Sequence, residues 1–197
     1  MNVALRDEKI IWREKYRKAR ADFKKSSLSE QAEKDICKQL REFIEEQQLS
    51  TVAIFIGLSE EVDLRALLSF QRVDFVLPKV FGNKMGFLPA AFPEKWVKNH
   101  LGILEPPGDW QDCVPLNQIE LVMVPGVAFD RLGGRIGMGK GFYDRALEEF
   151  SGVKMAPAFV CQISEDLVPM EPHDLRMDFI VTEKYTLKTQ MNLVREK

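Results

Sequence analysis

Over the first fifty positions the apolar residues recur with a helical period. Leu5, Trp12, Tyr16 and Ala19 stand among lysines and arginines, which predicts a basic helix from residue 5 to about 25. Ser27 and Glu30 in "SLSE" have the spacing of a capping box for a second helix reaching about Gln48, with Ile36, Leu40, Phe43 and Ile44 on one face. The period then gives way to short unbroken apolar runs. "TVAIFI" (51–56), "VDFVLP" (73–78, stopped by its proline), "KMGFL" (84–88) and "IELVMVP" (119–125) predict strands. Asp63 is positioned to cap a short helix, "LRALLSF", and the proline-rich stretch 89–118 predicts short helical or irregular pieces. A further helix is expected from about Lys140 to Phe150, with Tyr143, Ala146, Leu147 and Phe150 on its apolar face. "MAPAFVCQI" (155–163) and "DFIVT" (178–182) supply the last strands. Strands alternating with helices predict an α/β fold, one domain over 1–197, with a largely parallel central sheet flanked by helices.

Composition narrows the function classes. The chain is 45% apolar and 29% charged with a net charge of −2, without the basic excess of a general nucleic-acid binder. Recognition of an anion must therefore be local. Cys37, Cys113 and Cys161 are far apart and odd in number, so they read as reduced thiols without a disulfide framework or metal-ligand spacing. Charges interrupt the amino-terminal segment, and no apolar run is long enough to cross a bilayer. The chain reads as cytoplasmic, with neither membrane nor nucleic acid as partner, and as a monomer.

One segment is unlike the rest. "GGRIGMGKGFYDR" (133–145) packs five glycines, three cationic side chains, a tyrosine and an aspartate into thirteen positions after a predicted strand and before a predicted helix. In that arrangement backbone N–H groups cradle phosphate. The dinucleotide fingerprint fails, because Phe142 or Asp144 stands where its third glycine would fall. The fold is thus Rossmann-like without that fingerprint. The P-loop pattern comes closer: Gly134, Gly139 and Lys140 match, but Gly141 replaces the Ser or Thr that would hold magnesium. Asp144 is then the nearest carboxylate able to take over that duty. A tight turn with solvated charges fits the same spacing.

"PGVAFDRLGGRIGMGKGFYDR" (125–145) resembles the signature of the 5-formyltetrahydrofolate cyclo-ligase family, also called 5,10-methenyltetrahydrofolate synthetases. "KIIWR" (9–13) is similar to the family's amino-terminal Lys-x-x-x-Arg, and "IFIGLSEEVD" (54–63) to the strand and loop carrying its substrate-contacting glutamate. "ILEP" (103–106) and "VPMEPHDLRMDFIVTE" (168–183) look like its later landmarks. Phe142, in place of the first tyrosine of the common Tyr-Tyr-Asp, and Met138 depart from the pattern.

The resemblance implies an enzyme that uses ATP and Mg²⁺ to convert 5-formyltetrahydrofolate into 5,10-methenyltetrahydrofolate, releasing ADP and phosphate. It implies Lys140 and Arg135 as catalytic cations, and ATP contacts from Lys9, Arg13, Arg135, Ile136, Gly137, Met138, Gly139, Lys140, Gly141, Phe142 and Tyr143. Folate contacts would come from Ile56, Glu61, Met138, Gly139, Lys140, Gly141 and Phe142, and metal ligands from Asp144 and Asp178. Without the resemblance, Lys9 and Arg13 read as a solvated helix face, and Ile56 equally as core. Trp96, His100 and Trp110 receive no role. The alternative class is a relative that binds reduced folate or nucleotide without turnover. Such a decayed copy should have lost Lys140, Asp144 or a loop glycine, and all are retained.

Overall fold

The computed structural model describes residues 3–99 and 102–189. Helices α1 (Val3–Lys24) and α2 (Ser29–Glu46) open the chain. The expected capping box between them is not formed. The Ser29 hydroxyl instead donates to the carbonyls of Lys24 and Ser26, each at 3.0 Å, satisfying acceptors that the end of α1 leaves open. Glu30 pairs with Lys34, and α2 begins without a side-chain cap. Helix α2 buries Ala32, Ile36, Cys37, Leu40 and Ile44 as one stripe, packed in a core with Val52, Ile54, Phe75 and Leu121. Asp63 lies one residue before the cap position, which Leu64 takes without a side-chain cap; its Oδ1 accepts the Arg65 N–H at 3.0 Å where a 3₁₀ turn over Arg65–Ser69 begins.

Strand β1 (Thr51–Ala53) runs parallel to β2 (Asp74–Phe81), which turns back into antiparallel β3 (Lys84–Pro89). The proline-rich stretch holds a small hairpin, β4 (Val97–Lys98) and β5 (Leu104–Glu105). Strand β6 (Leu121–Met123) then lies on the other side of β1. A hairpin follows, β7 (Ala128–Asp130) and β8 (Arg135–Ile136), then helix α3 (Phe142–Ala146) and strand β9 (Val153–Pro157) beside β6. Strand β10 (Ile163–Ser164) joins β7 in a second, three-stranded sheet. Strands β11 (Phe179–Val181) and β12 (Thr186–Lys188) complete the main sheet, in the order β12-β11-β9-β6-β1-β2-β3. Its five inner strands are parallel and its two edges antiparallel. The expected α/β class, with a largely parallel sheet, is the one observed.

Three local expectations change. Pro78 does not stop β2, which continues to Phe81. The Val76 carbonyl accepts from Ile54, so the same side of the strand at Pro78 faces outward past the end of β1, where no N–H is needed. The helix expected over 140–150 is confined to Phe142–Ala146. Gly141 sits at φ +64, which breaks the helix before it, and Leu147 and Phe150 turn into the core as the chain returns to β9. The run 155–163 is divided between the two sheets by a 3₁₀ turn at Val160–Gln162. No helix among the described residues is long and apolar enough to cross a membrane.

Candidate active site

From β1 the chain builds outward through β2 and β3, whereas from β6 it builds the opposite way through β9 and β11. The loops leaving the carboxyl ends of β1 and β6 therefore diverge, and a crevice opens between them, the usual ligand position in open α/β sheets. Ile56 and Glu61 follow β1; Pro125 and Gly126 follow β6. Arg20 of α1 spans the two loops. Its Nη1 donates to Glu61 Oε1 at 3.3 Å and to the Gly126 carbonyl at 3.1 Å. The other Glu61 oxygen accepts the Leu58 N–H at 2.8 Å. Beside Glu61 lies a cleft of about 320 Å³, lined by Ile56, Glu61, Lys24, Arg65, Lys98 and Leu104 among others. The expected folate contacts Ile56 and Glu61 are thus brought to one cavity.

Helix α1 supplies more than Arg20. Lys9, Arg13, Tyr16 and Arg20 follow one another at intervals of four, three and four, so they share a face, which packs toward β7 and β8. Lys9 and Arg20 are buried on it, so this is no solvated face. Lys9 pairs with Glu171 at 3.1 Å and with Asp174. Arg13 donates from Nε to the Gly137 carbonyl at 2.9 Å. Burial lowers the Arg13 pKa, an effect opposed in part by the charge of Asp174.

The glycine segment has two parts. Its first, 131–134, is the tight turn of the β7–β8 hairpin, organised by buried Asp130. Asp130 accepts the N–H groups of Leu132 and Gly134 at 2.8 Å and of Val168 at 2.9 Å. A Cβ on Gly134 would fall 2.3 Å from an Asp130 oxygen, so this glycine serves the turn. The second part, 137–141, passes the middle of α1 at Arg13. Gly139 and Gly141 hold φ of +91 and +64, a backbone that other residues adopt with strain. Met138 and Lys140 project outward, and among the described residues Lys140 meets no carboxylate. Ile136, by contrast, is buried with Tyr16, Val127 and Val168, so its side chain is core.

Arg135 points inward. Its Nη2 donates to Asp144 Oδ1 at 2.6 Å, and its Nη1 to the Pro125 carbonyl at 3.1 Å. The Leu175 N–H also reaches Asp144 Oδ1, at 3.0 Å. Burial pushes the Asp144 carboxyl up, but the Arg135 charge and the Leu175 hydrogen bond outweigh it, leaving the pKa below the usual range. Arg135, which the resemblance implies as a catalytic cation, is thus paired with a protein carboxylate in this structure. Phe142 packs against the core and stacks under the Arg145 guanidinium at 5.3 Å. Burial and the Glu61 charge raise the Tyr143 phenol, with Arg135 opposing, so Tyr143 is a neutral group between the two ends of the site.

Asp144 and Asp178 are not matched partners. Asp178 stands at the amino end of β11 and accepts the Lys154 N–H at 2.8 Å and its ammonium at 3.2 Å, which ties β11 to β9. Ligand crevices lie at the opposite ends of parallel strands. Asp174 is the carboxylate that the fold brings toward α1 and Asp144: it meets Lys9, influences Arg13, and precedes the residue whose N–H binds Asp144. Asp174 Oδ2 also accepts the Glu171 N–H at 2.6 Å, closing the turn. The signal was present in "MEPHD", a loop with its own proline and acids, whereas Asp178 opens a β-branched strand. Arg20 lies seven residues after Arg13 on the same face, but its burial is visible only in the packed fold. Trp96 donates to the Ala91 carbonyl and Trp110 packs edge-on to Phe81, and neither lines the cleft; His100 lies outside the described residues.

The chain matches a model of the 5-formyltetrahydrofolate cyclo-ligase family over residues 5–183. It is 32% identical over 154 residues to the 5-formyltetrahydrofolate cyclo-ligase of Haemophilus influenzae, covering 74% of this chain and 82% of that protein. The enzyme of the same name from Escherichia coli K12 is 36% identical over 141 residues, covering 67% and 77%. In three dimensions the chain is similar to Aquifex aeolicus 5,10-methenyltetrahydrofolate synthetase, with a TM-score of 0.79, 31% identity and coverage of 92% and 93%. A profile match across nearly the whole described chain, relatives above 30% identity and a shared fold agree: this chain belongs to the 5-formyltetrahydrofolate cyclo-ligase family.

Proposed function

We propose that the chain acts as a cytoplasmic monomer that converts 5-formyltetrahydrofolate and ATP into 5,10-methenyltetrahydrofolate, ADP and phosphate. The chemical obstacle is the formyl oxygen, which on an amide-like N5 is a poor leaving group. Transfer of the γ-phosphoryl group to that oxygen breaks the bond to the ADP oxygen and gives an N5-iminium phosphate. N10 then attacks the formyl carbon and gives up its proton to phosphate, and the C–O bond breaks as phosphate leaves. Such a reaction needs positioning and charge neutralisation more than acid–base groups.

One observation carries the reading. A single face of α1 presents Lys9 at Asp174, Arg13 at the glycine segment and Arg20 at Glu61. Seven helical residues span roughly 10 Å, so one wall serves an anionic end and a carboxylate-lined end that must meet during the reaction. Lys9, Arg13, Lys140 and the N–H groups of 137–141 hold the ATP phosphates. Lys140, exposed and without a carboxylate partner among the described residues, meets the transferring group. Glu61 binds the pterin, whose 2-amino and N3–H groups offer two donors to one carboxylate.

Magnesium fits the donor set. Arg135 and the Leu175 N–H meet Asp144 at Oδ1, Lys9 and the Glu171 N–H meet Asp174 at Oδ2, and two carboxylates of this kind offer the hard oxygen ligands that the ion takes. When bound, the ion neutralises charge on the β- and γ-phosphates. The test is the near-ultraviolet absorbance of the methenyl product. Product should form only with ATP present; folate binding without product would instead identify a non-catalytic relative.

A further inference from the structure

Arg20 is an expensive residue for this fold. Its side chain is 1% exposed, yet only Nη1 has hydrogen-bond acceptors, while Nε and Nη2 have none. Nη2 lies 3.5 Å from Glu60 Oε2, too poorly aligned for a hydrogen bond. A buried guanidinium satisfied on one nitrogen costs free energy that an apolar side chain of similar volume would avoid. Its contacts indicate what is gained in return. The Gly126 carbonyl does not need Arg20, because Gln162 Nε2 already donates to it at 2.9 Å. Glu61 does: among the side chains of the described residues its Oε1 receives Arg20 alone, and its Oε2 is held by the Leu58 N–H.

We infer that Arg20 is a positioning residue for folate recognition: anchored on the loop after β6, it fixes the Glu61 carboxylate at the mouth of the crevice. The inference rests on the reading of Glu61 as the pterin-binding carboxylate. Without Arg20, Glu61 sits on a loop held by one backbone N–H, and its planar pair of acceptors loses the orientation that a two-donor ligand requires. Because the 2-amino and N3–H edge lies across the fused ring from N5 and the formyl carbon, the lost interaction is one made equally in the ground and transition states. It therefore enters KM for the folate and leaves kcat. Among the described residues the hydrogen bonds and ion pair of Arg20 go to Glu61, Gly126 and Glu60 and not to 137–141, so KM for ATP should be untouched.

The experiment compares Arg20→Met, Arg20→Lys, Glu61→Gln and the double variant Arg20→Met/Glu61→Gln, with KM for 5-formyltetrahydrofolate, KM for ATP and kcat measured for each. Arg20→Met should raise folate KM by about tenfold or more, the order expected for a charge-assisted contact, with kcat and ATP KM within about twofold. Arg20→Lys, which keeps the charge on a narrower donor, should recover part of the loss. The double variant should be no worse for folate than Glu61→Gln alone, because Arg20 acts through Glu61. If Arg20→Met does not fold, Arg20→Lys carries the same test with a smaller folate-specific rise. A rise in both Michaelis constants, or additive losses in the double variant, would show that Arg20 only supports the fold. If Glu61→Gln raises folate KM and the Arg20 variants do not, the positioning role falls while Glu61 stands. If Glu61→Gln itself leaves folate KM unchanged, both fall.

Discussion

Arg13 Nε and the Gly137 carbonyl oxygen stand 2.9 Å apart, a hydrogen bond that ties the amino-terminal helix to the glycine segment across 124 residues of chain. Because Lys9 lies one turn earlier and reaches Asp174, the helix and the two loops form one wall around the proposed phosphate site. Arg13→Ala should raise KM for ATP by about tenfold or more, the scale of a lost charge-assisted hydrogen bond, and leave folate KM near its starting value. Steady-state kinetics with each substrate varied in turn measure both. Equal losses would mean that α1 shapes the whole domain and has no selective hold on phosphate.

The Arg135–Asp144 pair leads to a prediction with two readouts. In Asp144→Asn the magnesium concentration for half-maximal activity should rise sharply. The variant should also melt roughly 5 °C lower, because a buried guanidinium loses its counter-charge. The pH dependence has a definite sign. The Asp144 carboxyl is held below its usual value in the folded state, so its contribution to stability is present above about pH 4 and lost as pH falls through the lower folded pKa. The stability gap between wild type and Asp144→Asn should accordingly be flat near neutrality and close in acid. An overlaid magnesium titration would reduce Asp144 to a helix-end residue.

Asp174 and Asp178 separate in the same assay. Asp174→Asn should shift the magnesium titration by about tenfold, as expected when an ion loses one carboxylate from its set. Asp178→Asn should leave the titration in place and lower the melting temperature, because it releases Lys154 from the edge where β11 meets β9. The reverse pattern would restore Asp178 as the ligand.

These two aspartates mark where reading the chain succeeds and where it stops. The stripe Ile36, Leu40 and Ile44 and the run at Leu121–Met123 were legible because burial of one face, or of two, imposes a period on local sequence. Glu61 and the 137–141 segment were legible because loops after strands carry polar groups that the core does not need. The placements of Asp178 beside Lys154 and of Asp174 beside Lys9 were not legible, because distance along a chain says little about which end of a parallel strand an acid occupies. Arg20 was passed over because a basic helix usually solvates its charges, and only the packed fold reveals that the 9-13-16-20 face is turned inward. The end of α3 at Ala146 was likewise set by a tertiary demand, the return of the chain to β9, and not by helix propensity.

Lys140 is exposed and takes no part in the core, so removing its ammonium tests chemistry without disturbing the fold. Lys140→Ala should lose on the order of 10²–10³ in kcat, the range for removing one preorganised charge at a reacting centre, and keep the wild-type melting temperature. Wild-type turnover in the folded variant would assign the transferring phosphate to another cation.

The central claim, that ATP phosphorylates the formyl oxygen, is tested most directly with 5-formyltetrahydrofolate carrying heavy oxygen in the formyl group. After a turnover short enough to avoid exchange with water, mass spectrometry of the products follows the label. Direct phosphoryl transfer predicts heavy oxygen in inorganic phosphate and none in ADP. Label in bulk water, with unlabelled phosphate, would contradict the phosphorylated intermediate.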